Sequence, residues 1–222
     1  MKNKINIVII SITILLIGFV EIFSILPNIM LNTSVTLGAF IIPIFIIFIT
    51  MIIQIKNTKD LKEKENIRKF WLKKLFLIYL LLLFTVLFLN SEYRMNGIKN
   101  VGIFSKQHFE TINMVPFSTI ISYIDRLVTH KINTSIVILN IFVNLILFAP
   151  MGVFIPLLFN QKINNIKKFV LLITVSSLTV ELLQFLTYRG ATDIDDIILN
   201  TIGATFVYAI MQTKLVKKML LM

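Results

Sequence analysis

The 222-residue chain contains no cysteine. Disulfides, thiolate metal sites and cysteine nucleophiles are therefore excluded, and composition says nothing more about the compartment. Histidine is nearly absent as well. His108 and His130 stand far apart with no ligand spacing between them, so no metal site is expected. Charge is scarce: 15% of residues are Asp, Glu, Lys or Arg, against about 25% in an ordinary soluble domain. No Walker loop, nucleotide fingerprint, HExxH or GxSxG occurs. No soluble stretch is large enough to carry an ATPase, and no cofactor is expected. No inverted repeat is evident, which weakens a reading as a small-solute transporter.

Apolar residues are what the chain has in excess. They make up 57% of it, and the mean hydropathy is +0.88. A helix needs about 20 apolar residues to cross the hydrocarbon core. Six runs answer that need: Ile5 to Leu26, Val35 to Ile55, Phe70 to Leu89, Ser135 to Phe159, Phe169 to Thr187, and the short Ile197 to Met211. The expected fold is an all-α, polytopic transmembrane helical bundle of about six spans. Lys2 and Lys4 ahead of the first run resemble a signal peptide, but no small-x-small cleavage site follows, so an uncleaved first span is expected. Pro150 and Pro156 should kink the fourth run or end it early.

The net charge of +11 does not point to nucleic acid, because the bases sit beside apolar spans rather than on a soluble, aromatic-rich face. With the N-terminus inside, sixteen of the 22 lysines and arginines fall on cytoplasmic segments; Arg94, Lys99, Lys106, Arg126, Lys131 and Arg189 fall outside. That bias predicts both termini in the cytoplasm. Three parts follow: residues 1–89 with three spans and a basic cytoplasmic loop at 56–74, an extracytoplasmic segment at 90–134, and a core at 135–222 with three spans. In the middle part Phe117, Ile120, Ile121, Ile124, Leu127 and Val128 recur at helical spacing after Pro116. They describe an amphipathic helix, lying either on the outer bilayer surface or over the mouth of the bundle.

Polar residues inside such runs need a partner, water or a changed protonation state. They concentrate between Glu181 and Gly203, in ELLQFLTYRGATDIDDIILNTIG. Thr174, Ser177, Glu181, Gln184 and Tyr188 follow steps of 3, 4, 3 and 4, one helix face. Thr174 and Ser177 are explained by bonding back to their own helix, and Gln184 by gluing two helices together. Glu181 is not so explained. Asn140 and Asn144 share a face, where interhelical hydrogen bonding is the plain reading. Thr192 reads as an N-cap with Asp195 three residues on, and acidic groups suit a first helical turn. That leaves Asp193, Asp196 and Asn200 at i, i+3 and i+7, with Arg189 near enough to pair across the Gly190 turn. A rise of about 1.5 Å per residue puts Asn140, Asn144, Glu181, Asn200 and Glu21 in the outer half of the bilayer. A polar cavity open to the outside is expected. The cluster is either purely structural, or it binds a polar head group or a cation, or it holds a general acid and base with Glu181 and Asp196 as candidates.

These residues also carry a resemblance. NMVPF (Asn113 to Phe117), NIFVNLILFAPMGVFIPLL, ELLQ and RGATDIDDIILNTIGA together resemble the VanZ-like family of bacterial membrane proteins, from Asn113 to about Tyr208. The first two runs and the basic loop lie outside it. The resemblance implies a multi-pass protein of the bacterial plasma membrane. The family is named for a protein associated with resistance to teicoplanin, a lipoglycopeptide acting at the outer membrane surface. Its characteristic positions fall on Asn140, Asn144, Pro150, Gly152, Glu181, Gln184, Arg189, Asp193, Asp195, Asp196, Asn200 and Gly203. Membrane lipids are the expected partners, with a lipid-linked cell-wall precursor or a lipoglycopeptide as ligand. The family implies no defined biochemical activity, and the sequence leaves the oligomeric state open.

Overall fold

The computed structural model describes residues 2–25, 33–89, 105–159, 162–163, 165–188 and 192–216. Among them there are helices and no strand. In chain order these are α1 (Lys2–Ile25), α2 (Thr33–Lys56), α3 (Leu61–Phe84), α4 (Lys106–Phe109), α5 (Ser118–Val128), α6 (Thr134–Leu147), α7 (Met151–Phe159), α8 (Ile166–Thr187) and α9 (Ile194–Met211). Among the described residues, five helical stretches are long and apolar enough to cross a membrane: Gly38–Lys56, Leu61–Leu89, Asn140–Phe159, Ile166–Thr187 and Ile194–Met211. The sixth expected span corresponds to α1, whose described apolar stretch is Asn6–Gly18. The protein is a helical membrane protein.

The chain divides into two compact units, Met1–Glu92 and Tyr93–Met222. In the first, α2 packs on α1 and α3. Their apolar faces are stitched by a polar thread. The Gln54 carboxamide donates to Asn6 Oδ1 at 2.7 Å and accepts from Trp71 Nε1 at 3.0 Å. Trp71 is fully buried. In an apolar surrounding each of these groups must find such a partner. The 56–74 segment is mostly helical rather than a loop, because α3 starts at Leu61. Asp60 caps it, accepting from the backbone N–H of Glu63 at 3.0 Å. Lys69 pairs with Glu65 one turn earlier at 2.6 Å. At its far end α3 widens into a π-helical turn, Thr85–Leu89.

In the second unit α9 is the central helix. It packs against α5, α6, α7 and α8. Two glycines make this possible. A Cβ on Gly203 would stand 1.8 Å from the Leu145 carbonyl oxygen of α6. One on Gly152 of α7 would stand 2.6 Å from the Ala204 carbonyl oxygen of α9. Small residues let membrane helices approach backbone to backbone. The fourth apolar run breaks at Phe148–Pro150, as Pro150 predicts, whereas Pro156 does not end it: α7 runs through it to Phe159. Met151 and Gly152 donate to Phe148 and Ala149 through short three-residue turns at 3.0 and 2.9 Å. Phe169 of α8 stacks on Tyr208 of α9 with centroids 4.2 Å apart.

Candidate functional site

The start of α9 gathers the acidic residues. Asp193, not Thr192, is its N-cap: Asp193 Oδ1 accepts from the Asp195 N–H at 2.9 Å. Thr192 instead turns its hydroxyl to the Glu181 carbonyl oxygen at 3.4 Å. A short carboxylate at the cap satisfies a donor that the helix itself cannot. Asp193 also accepts from Asn113 Nδ2 at 3.0 Å and from the Thr119 hydroxyl.

Asp195 has a different task from the one its position in the chain implies. It does not serve its own helix. Its carboxylate accepts from the backbone N–H groups of Phe117, Thr119 and Ile120, and so caps α5. It is 1% exposed. The N-cap residue of α5, Phe117, has φ 65° and supplies no cap of its own. An acceptor there suits the positive end of the α5 dipole.

Asn113 locks the two segments together. Its N–H donates to the Thr192 carbonyl at 2.8 Å, and its own carbonyl accepts from Ile194 N–H at 3.0 Å. This is an isolated parallel bridge, Asn113 to Asp193. The Asn113 side-chain oxygen accepts from the Ser118 hydroxyl at 2.8 Å and the Val115 N–H at 3.2 Å. The motif NMVPF is thus the socket for the start of α9.

Beside these caps stand Glu181 of α8 and Asp196 in the first turn of α9. Glu181 is 3% exposed and accepts from the Asp193 N–H at 3.1 Å. Asp196 accepts from the Asn144 carboxamide of α6. A carboxylate can accept about four hydrogen bonds, so both retain capacity. Among the described residues, neither has a lysine or arginine within ion-pair distance, and no cluster of potential metal ligands of three or more forms. Asn140 donates to the Tyr123 hydroxyl at 3.1 Å. Burial first, and then the charges of Asp196 and Asp193, hold the Tyr123 phenol above its ordinary range. One turn beyond Asp196, Asn200 is 3% exposed and donates to the Ser177 hydroxyl at 3.0 Å. Its side-chain oxygen has no partner among the described atoms.

The structure therefore divides the expected residues into groups. Asp193 and Asp195 are consumed by capping and by joining α5 to α9. Asn140, Asn144, Glu181, Asp196 and Asn200 form a polar seam between α5, α6, α8 and α9. Gln184 is half-buried on α8. The i, i+3, i+7 face does not form as expected, because Asp193 lies outside the helix and turns toward Asn113. The five-residue stripe is also shorter: α8 stops at Thr187, and Tyr188 takes φ 56° at its end. Arg189 and the side chain of Glu21 lie outside the described residues. Sequence reasoning missed the roles of Ser118, Thr119, Tyr123 and Ser177. The Asn-x-x-Pro-Phe motif was the one signal that the segment before α5 mattered.

Comparison with known proteins matches the VanZ/LLP1 family model to residues 76–216, more than half of the chain. "Protein VanZ" of Enterococcus faecium is 43% identical over 60 residues, which cover 27% of this chain and 36% of that protein. No solved structure matches.

Proposed function

The chain belongs to the VanZ/LLP1 family, and on that premise we propose that it is a bacterial plasma-membrane protein that lowers the action of lipoglycopeptides such as teicoplanin. In this reading both termini lie in the cytoplasm. The Glu181–Asp196 seam then opens toward the outer half of the bilayer and engages a polar head group, carried by a lipid-linked cell-wall precursor or by the drug. The observation that carries it is the unspent acceptor capacity of two carboxyls, the buried Glu181 and the half-buried Asp196, beside Asn144. Burial of such groups costs several kcal/mol unless something compensates it, and helix capping already accounts for Asp193 and Asp195.

Expression in a sensitive Gram-positive host should raise the inhibitory concentration of teicoplanin more than that of vancomycin. Glu181→Gln and Asp196→Asn should each remove the effect at unchanged protein abundance. An equal or absent change for the two drugs overturns the reading. Loss of abundance in both variants assigns the carboxyls to structure instead.

A second reading rests on the same burial of Glu181. A carboxyl without a cationic partner can act as acid or base on a lipid-linked head group. Mass spectrometry of lipid-linked precursors, with and without the protein, separates the two. A changed precursor means catalysis, and an unchanged one means binding.

A further inference from the structure

Helix α5 leaves an apolar face uncovered. Phe117, Ile121, Ile124 and Val128 follow steps of 4, 3 and 4, one stripe of a helix. Met114 and Val115 in the preceding turn extend it. All six side chains are more than half exposed. The opposite face is committed to the protein. Thr119 bonds Asp193, Tyr123 bonds Asn140, and Asp195 caps the helix from α9. The stripe therefore lies on the side away from the helices that hold α5.

We infer that α5, with the Met114–Phe117 turn, is an interfacial docking element whose occupant is the head-group boundary of the lipid bilayer. The chain length leaves little choice of place. Only residues 129–133 separate the end of α5 from the start of α6, and six peptide steps reach at most about 20 Å. Helix α6 runs into the Asn140–Phe159 candidate span. The capping of α5 by Asp195 ties its other end to the first turn of the Ile194–Met211 span. Both ends of α5 are thus held at the ends of membrane-crossing helices. Ile138, Phe142, Val143 and Ile146 of α6 are exposed as well, as apolar side chains of a span facing lipid would be. Arg126, Lys131 and Lys106 are exposed in the same segment and suit lipid phosphates. An amphipathic helix so placed buries its apolar face at the acyl boundary. Asp195 is then the residue that fixes the docking element to the spans. The inference is independent of what the Glu181–Asp196 seam binds.

The chain has no cysteine, so single-cysteine variants report one position each. Ile121→Cys, Ile124→Cys and Val128→Cys carry the stripe; Arg126→Cys and Thr129→Cys carry exposed positions off the stripe. Each is spin-labelled in the full chain and placed in nanodiscs of phosphatidylcholine and phosphatidylglycerol. Collision with oxygen is compared with collision with a water-soluble nickel chelate. Stripe labels should collide mainly with oxygen, and the two labels off the stripe mainly with nickel. Equal nickel collision at the stripe and off it puts the stripe in water and overturns the inference. Labels that meet neither reagent put protein over the stripe, which also overturns it. Dipolar coupling between the labels would then identify the cover as a second copy.

Discussion

Gly203→Ala should open the α6–α9 crossing and weaken the whole second unit. A Cβ at this position would lie 1.8 Å from the Leu145 carbonyl oxygen and 2.7 Å from its carbonyl carbon. Both are backbone atoms, so no side chain can swing aside. The two helices must separate until 1.8 Å becomes at least 3.0 Å. Overpacking of this kind costs about 1–3 kcal/mol, and a clash with backbone belongs at the upper end. The separation also pulls Asn144, next to Leu145, away from Asp196. About 3 kcal/mol corresponds to a melting midpoint lower by roughly 6–12 °C for a chain of this size. Thermal unfolding in detergent, followed by size-exclusion recovery, measures it. Gly38→Ala is the control, since a Cβ there meets nothing within 4 Å. If Gly203→Ala melts with the parent, or if Gly38→Ala falls as far, the close-approach argument fails.

The capping of α5 predicts a local effect. Asp195→Ala leaves three N–H groups without their acceptor and should cost about 2 kcal/mol. Hydrogen exchange should quicken across Ser118–Val128 while the far half of α9 stays protected; unchanged exchange in α5 would refute the cap. In the first unit, Gln54→Leu removes the acceptor of the Trp71 N–H. Trp71 is the sole tryptophan of the chain, so its emission reports the bond directly. A blue shift is expected, with a loss of roughly 1 kcal/mol, and an unmoved spectrum would remove Gln54 as the partner.

Much of this protein is legible in its amino-acid sequence. Runs of Ile, Leu, Phe and Val long enough to cross a bilayer fix helices, because backbone groups in hydrocarbon must pair within their own segment. Helical spacing at Phe117–Val128 found α5, and Pro150 located the break between α6 and α7. Local rules also marked Glu181 and Asp196 as costly, since the price of a carboxyl in an apolar run does not depend on the fold. The partners of these residues were not legible. Asp195 sits in the first turn of α9, where the local rule assigns it to its own helix. Its N–H acceptance comes instead from α5, more than seventy residues earlier in the chain. Thr192 looked like the cap and Asp193 took the place, because the bridge to Asn113 set where α9 begins.

The sequence by itself determined the solvent of this chain, its helices and the short list of residues that cannot sit idle in a membrane, because each of these follows from near neighbours along the chain. Only the tertiary structure decided that Gly152 and Gly203 are contact points, that two of the aspartates are structural and that Glu181 and Asp196 keep capacity to spare. Those outcomes depend on which helices meet and at what distance, and pairings across dozens of residues leave no local pattern to read.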